Sequence, residues 1–312
     1  MEDPIEDAKG RMPSVLYVGL QKTGSTFLRH YFYQHPDVEC TRSGALLQTD
    51  ACDVARVGLA QAQAAYAEAL PPAGAPLRID MYESLAMGYL LRGVDAWEAH
   101  TFVTPVSGLA HPSVVYDPGA LARRLAAIVP GARILLTIRS QPAWLDSAYR
   151  HFHDHLPAAR RRFVDFLATL EGRIALDVAH YDRTVSVWEA AFGEGRVHVL
   201  PLESLERDEA GALERLCAFL GVDAVPYDPE RKERNRGRAL ASEPAPLPPR
   251  SRTWFARFGR TLVGEPRGDE NGISRGAVPD EIVETLRAVY SASNARLAQR
   301  LDRDLATLGY PS

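Results

Sequence analysis

The chain has 312 residues, 46% hydrophobic and 24% charged, which is enough for one large or two small globular domains. A formal net charge of −4 provides no basic field, so nucleic acid is not an expected partner. No apolar run approaches a bilayer span, and the acidic opening MEDPIEDAKGRMP has no apolar stretch of the signal-peptide kind; the expectation is a cytoplasmic protein that is not integral to a membrane.

Residues 1–12 read as a flexible tail. The first strand candidate is SVLYVG (14–19), followed by a helical pattern over 25–34. An alanine-rich stretch predicts a helix over 53–70, and PLRIDMY (76–82) a second strand. Next come a helix over 119–129, a strand at RILLTI (133–138), and helices over 142–155, 160–170 and 177–192. A strand at RVHVLPL (196–202) and a helix over 208–220 complete the alternation. The strand candidates are mostly apolar and β-branched, as suits a parallel sheet covered on both faces. The pattern predicts a three-layer α/β fold, a central mostly parallel sheet flanked by helices, with ligands beyond the carboxyl ends of the strands.

From 241 the composition turns to proline, glycine and arginine, so 241–275 reads as a loop or lid excursion. One short amphipathic helix is expected in it around Trp254, Phe258 and Leu262. A helix over about 279–301 closes the chain, with Val283, Leu286, Tyr290, Leu297 and Leu301 on its apolar face. A single domain over 13–312 is expected, and no internal repeat is apparent. Cys40, Cys52 and Cys217 fall in no paired or metal-like spacing, which suits a reducing compartment.

The segment YVGLQKTGSTFLRHYF (17–32) joins the first strand to a helix N-terminus, where unpaired backbone N–H groups and the positive end of the helix dipole favour an anion. Gly24 allows close backbone approach, Ser25 and Thr26 add hydroxyl donors, and Lys22 adds a full charge. The same residues also suit an ordinary strand-to-helix turn. The order is not that of an ATP-binding P-loop, which carries lysine directly after its second glycine; here that position is Ser25. A second anion anchor is offered by RILLTIRSQPAWLDSAYRHF (133–152). Arg139 ends a strand, Ser140 stands at an N-cap, Pro142 fits a first helical turn, and Ser147 follows on the helix. Arginine offers a charged fork and serine a hydroxyl to one phosphate; pairing of Arg139 with a surface carboxylate is the alternative.

K-T-G-S-T after a hydrophobic strand resembles the 5′-phosphosulfate loop of sulfotransferases that use 3′-phosphoadenosine 5′-phosphosulfate (PAPS). Arg139, with Ser147 eight residues on and then S-x-Y, resembles the same family's 3′-phosphate motif. The two occur in the family's order, and the likeness covers most of 14–311, weakly at 86–118 and across 241–275. The resemblance implies a P-loop-like fold and transfer of a sulfuryl group from PAPS. Lys22, Thr23, Gly24, Ser25 and Thr26 would surround the 5′-phosphosulfate, and Arg139 and Ser147 would hold the 3′-phosphate. The basic run PERKERNRGR (229–238) stands where the family often places R-K-G; its nearest match is Arg236-Gly237-Arg238, and a solvated charge run is the alternative.

Sulfuryl transfer needs in-line placement and stabilisation of charge on the leaving phosphate, which an ammonium such as that of Lys22 supplies. The transferred group carries less charge than a phosphoryl, so no metal is required. His151 and His155 are spaced i, i+4 as zinc ligands can be, with no remote ligand set evident. The acceptor hydroxyl needs a base, and Glu83, just after the second strand candidate, is the first choice. His111 is second and His100 weaker, while Asp80 falls within the strand and reads as structural. The acceptor itself, a small molecule, glycan or lipid-linked group, is not legible. RSRTWFARFGR combines aromatic and basic residues suited to covering a substrate, docking a carrier or touching a lipid surface, or simply to a helix packed on the domain. Two other readings stay open here: a P-loop small-molecule kinase and a non-catalytic nucleotide-binding protein.

Overall fold

The first apolar run forms a buried strand at the middle of a sheet in a computed structural model that describes residues 15–42, 58–69, 76–81, 89–91, 114–153, 163–168, 170–228 and 280–312. The strands are β1 (Val15–Tyr17), β2 (Val38–Arg42), β3 (Leu77–Met81), β4 (Tyr89–Leu91), β5 (Val114–Tyr116), β6 (Arg133–Ile138) and β7 (Val197–Pro201). Five of them form one sheet in the order β2-β3-β1-β6-β7, and every pairing in it is parallel. β4 and β5 make a separate antiparallel ribbon.

The helices are α1 (Ser25–Gln34), α2 (Leu59–Ala69), α3 (Pro118–Ile128), α4 (Gln141–His153), α5 (Phe163–Leu167), α6 (Leu170–Val178), α7 (Tyr181–Phe192), α8 (Leu202–Arg207), α9 (Glu209–Leu220) and α10 (Asp280–Leu301). They cover both faces of the sheet, as the side-chain alternation of β1 requires. Leu16 and Val18 pack with Ile134, Leu136 and Ile138 against residues of α3, α4, α7 and α10. Val15 and Tyr17 pack with Leu135 against Leu28, Tyr31 and Phe32 of α1 and Leu213 and Leu216 of α9. The expected three-layer α/β fold with a parallel central sheet is therefore present.

β2 was not expected from sequence. Its residues, VECTR, alternate polar and apolar at the sheet edge, where one ladder rather than two fixes the strand. Glu39 stands opposite Arg78 of β3 and pairs with its guanidinium at 3.0 Å, which lets Arg78 be almost fully buried. The short ribbon strands β4 and β5 were not expected either. The helical patterns at 160–170 and 177–192 resolve as three helices, α5, α6 and α7, with a break before Tyr181 where His180 is the N-cap. The alanine-rich helix is described over Leu59–Ala69; residues 53–57 and 70 of the expected 53–70 lie outside the described residues. On α10, Leu286, Tyr290 and Leu297 are buried as expected, while Val283 and Leu301 are partly buried.

No described helix is long and apolar enough to cross a membrane. The 241–275 excursion, with Trp254, Phe258 and Leu262, lies outside the described residues, as do residues 1–12.

Candidate functional site

The order of the sheet creates the site. The chain steps from β1 to β2 and β3 on one side, and reaches β6 and β7 on the other. β1 and β6 are thus neighbours whose outgoing connections run to opposite faces, α1 with one core cluster and α4 with the other. Beyond the carboxyl ends of two such strands lies the crevice where open α/β sheets bind ligands. The loop of residues 18–24 leaves β1 there, and the turn at Arg139 and Ser140 leaves β6 beside it.

The loop after β1 is built around a line of hydroxyls. Thr23 is fully buried and donates through Oγ1 to the carbonyl of Leu20. Because that bond uses the Thr23 proton, Thr137 of β6 donates to Thr23 Oγ1 at 2.6 Å, and Tyr17 donates to Thr137 at 2.7 Å. Gly19 is required beside this line: a Cβ there would lie 2.3 Å from Thr137 Oγ1 and 2.5 Å from the Tyr17 hydroxyl. The hydroxyl of Thr23 is consequently turned inward, away from the sheet rim, and only its backbone can face a ligand. Ser25 is buried, while Lys22 and Thr26 are exposed.

Lys22 adopts a left-handed backbone, φ 64°, and Gly24 follows with φ 96° as the N-cap of α1. Gly24 has no side chain to cap the helix, and no acidic residue occupies the first turn. The first intrahelical bond runs from the Leu28 N–H to the Gly24 carbonyl at 3.1 Å. The N–H groups before it have no intrahelical acceptor and, with the dipole, form a place that favours an anion, two residues after Lys22 in the chain.

Arg139 is partly exposed and directly follows β6. Its carbonyl accepts from the Tyr181 hydroxyl at 2.7 Å, and the next N–H, that of Ser140, donates to Glu203 Oε1 at 2.8 Å. Glu203 Oε2 accepts from the Tyr310 hydroxyl at 3.0 Å. Burial pushes the Glu203 carboxyl above the usual carboxylate range, and burial with the nearby Glu203 charge pushes the Tyr181 and Tyr310 phenols up. Ser147 lies on α4, partly exposed. One bond ties the two segments together: Trp144 of α4 donates from Nε1 to the Gln21 carbonyl in the loop after β1, at 2.8 Å.

The structure thus brings Lys22, Thr23, Gly24, Ser25 and Thr26 to the rim beside Arg139, with Ser147 on the helix that follows. Glu83, His100, His111, His155, Arg236 and Gly237 lie outside the described residues. Asp80 is completely buried within β3 and accepts a hydrogen bond from the Tyr66 hydroxyl, in line with a structural part. Glu203, Tyr181 and Tyr310 were missed by sequence reasoning, since nothing local marks a residue that acts on a turn far away in the chain.

Solved structures resemble this chain to different degrees. A sulfotransferase from Alicyclobacillus acidocaldarius superposes with a TM-score of 0.56 at 19% identity, covering 95% of this chain and 98% of that one. The sulfotransferase domain from the curacin biosynthetic pathway gives 0.47 at 15% identity, over 94% and 99% of the two chains. The sulfotransferase domain of the Synechococcus PCC 7002 olefin synthase gives 0.43 at 16% identity, over 94% and 95%. No curated protein matches the sequence. The family model described as "Sulfotransferase family" matches residues 13–226, a span that takes in the loop after β1, the arginine turn after β6 and the Glu203 helix together; the chain belongs to the sulfotransferase family.

Proposed function

We infer that this sulfotransferase takes its sulfuryl group from PAPS and passes it to an acceptor hydroxyl by in-line displacement. The observation that carries the reading is the adjacency of two anion anchors at the carboxyl ends of neighbouring strands, the Lys22–Thr26 loop on β1 and Arg139 on β6. A nucleotide with phosphates at both its 5′ and 3′ positions suits two such anchors. The chemistry of the donors fits as well: backbone N–H groups, hydroxyls, a lysine and an arginine, with no acidic residue in the first turn of α1. PAPS supplies a sulfuryl group already activated by its link to phosphate.

In this reading the N–H groups of the first turn of α1, with Ser25 and Thr26, hold the 5′ end. The Lys22 ammonium stabilises charge as it grows on the leaving phosphate. Arg139 and Ser147 hold the 3′-phosphate, and that remote binding energy places the reacting end. Arg236 and Gly237 are assigned as further contacts to the 3′-phosphate. Glu83 takes the proton of the acceptor hydroxyl, with His111 as the alternative base, and no metal takes part. The acceptor is a small molecule, glycan or lipid-linked group, and the site is assigned to the cytoplasm. Neither rival keeps a specific feature: the position after Gly24 is Ser25, where a P-loop kinase needs lysine.

The test compares thermal stabilisation by adenosine 3′,5′-bisphosphate with that by ATP and ADP, with and without Mg²⁺. Stabilisation by the bisphosphate, lost in Arg139→Ala, is expected; at a hundred times its dissociation constant a ligand adds about 2.7 kcal/mol. Stabilisation by Mg·ATP alone refutes the reading. With PAPS and an acceptor panel, Lys22→Ala abolishes transfer, and Glu83→Gln lowers turnover with nucleotide affinity nearly intact.

A further inference from the structure

The strand support for β6 ends just before Arg139. The last ladder partners are Ile138 and Pro201; beyond them β7 turns into α8. The peptide group that joins Arg139 to Ser140 lies beyond this ladder, with no neighbour strand to orient it. Left alone, such a plane can rotate about its flanking Cα atoms and swing the side chain that precedes it.

Here it is held at both ends by side chains. The carbonyl half, on Arg139, accepts from the Tyr181 hydroxyl at 2.7 Å, and the N–H half, on Ser140, donates to Glu203 Oε1 at 2.8 Å. The second oxygen of Glu203 is occupied by the Tyr310 hydroxyl at 3.0 Å, which fixes the rotation of the carboxylate. The rings of Tyr181 and Tyr310 meet edge to face with centroids 6.4 Å apart, and both residues are buried. The residue after Ser140 is pinned as well. Gln141, fully buried, exchanges hydrogen bonds with Asn294 of α10 at 2.7 and 3.1 Å. Asn294 in turn donates to the Pro311 carbonyl at 2.8 Å. The final residues of the chain are therefore docked behind the arginine turn.

We propose that Tyr310 and Tyr181 are positioning residues for Arg139: together with Glu203 they clamp the Arg139–Ser140 peptide so that the guanidinium is aimed at the 3′-phosphate before the nucleotide arrives. The C-terminal segment thereby sets how strongly the site distinguishes a 3′-phosphorylated nucleotide from one without that group. This rests on the assignment of Arg139 to the 3′-phosphate made above.

The experiment is calorimetric titration of the full chain with adenosine 3′,5′-bisphosphate and with AMP, which lacks the 3′-phosphate. Tyr310→Phe deletes one hydroxyl and keeps the ring. Its dissociation constant for the bisphosphate is expected to rise about five- to tenfold, the usual effect of one lost hydrogen bond, while that for AMP stays unchanged. Tyr181→Phe, acting on the other end of the same peptide, gives the same selective loss and serves as a second, independent variant. In an Arg139→Ala background neither substitution has a further effect. Equal weakening of both ligands, or no change in either, overturns the positioning role, since a merely structural tyrosine does not discriminate between them. Failure of the underlying assignment shows separately, on unsubstituted protein: binding of bisphosphate and AMP with equal affinity means that Arg139 does not read a 3′-phosphate.

Discussion

Lys22 combines a proposed catalytic charge with a backbone that lysine does not favour, and the two can be separated by substitution. Its φ of 64° lies in the left-handed region, which costs an L-residue about 1–2 kcal/mol because Cβ crowds the following carbonyl. Lys22→Ala keeps the Cβ and therefore the strain. Lys22→Gly removes both, less about 0.4–1 kcal/mol for the greater freedom of glycine in the unfolded chain. The glycine variant is thus expected to be more stable than the alanine variant by roughly 0.5–1 kcal/mol. With an m-value near 3 kcal/mol/M, that is a difference of about 0.2–0.3 M in the urea midpoint. Both variants are expected to lack sulfuryl transfer, measured with PAPS and an acceptor panel. A glycine variant no more stable than the alanine variant would falsify the argument, because it would mean that the strain at 22 does not exceed the about 0.4–1 kcal/mol that glycine loses through the unfolded chain. Strain of this kind is characteristic of positions held for function rather than for stability.

Two further outcomes follow from the same geometry. Trp144→Phe deletes the Nε1 donor to the Gln21 carbonyl and should cost about 2 kcal/mol in urea unfolding, roughly half from the hydrogen bond and half from the smaller ring. Since Gln21 belongs to the loop proposed to hold the 5′ end, this variant should bind adenosine 3′,5′-bisphosphate and AMP more weakly alike, in contrast to Tyr310→Phe. His198 has its pKa lowered from 6.5 to about 4 by burial and by the charges of Arg303 and Arg215. The unfolded chain therefore binds the proton first, and the stability that neutral His198 contributes is lost as pH falls from about 6.5 towards 4. At most about 3 kcal/mol is involved, and His198→Phe, which keeps the stacking on Phe219, should flatten that part of the stability–pH profile.

The loop after β1 was legible as a strand-to-helix connection because everything that defines it is local: an apolar strand, two glycines, a lysine and a helix start within a dozen residues. The arginine turn was legible for the same reason. What escaped was of two kinds. β2 escaped because VECTR mixes polar and apolar residues at an edge, and its placement depends on the cross-strand pair of Glu39 with Arg78, which periodicity does not report. The partners of the arginine turn escaped because they are remote: Glu203 lies 63 residues from Ser140 and Tyr310 lies 107 from Glu203. Even within the loop, nothing in the sequence showed that the line of hydroxyls from Tyr17 through Thr137 turns the Thr23 hydroxyl into the core.

Two consecutive residues of α8 join the anchors into one device. Leu202 packs beneath Gly24, so closely that a Cβ on that glycine would lie 2.8 Å from Leu202 Cδ1. Glu203 accepts from Ser140 beside Arg139. The end of β7 thus underlies both the β1 loop and the β6 turn, and Trp144 crosses back from α4 to Gln21. Segments more than a hundred residues apart in sequence are therefore held against the same rigid sheet rim by packing that is complete once the chain has folded. The entropy of arranging the donors is met in folding rather than in binding, so a ligand with two phosphates at the matching separation gains both sets of contacts with little further ordering. A ligand that engages one anchor alone forgoes half of that advantage. On the proposed assignment of the two anchors, selection between nucleotides resides in the spacing of the two strand ends as much as in the identity of the lysine and the arginine that stand on them.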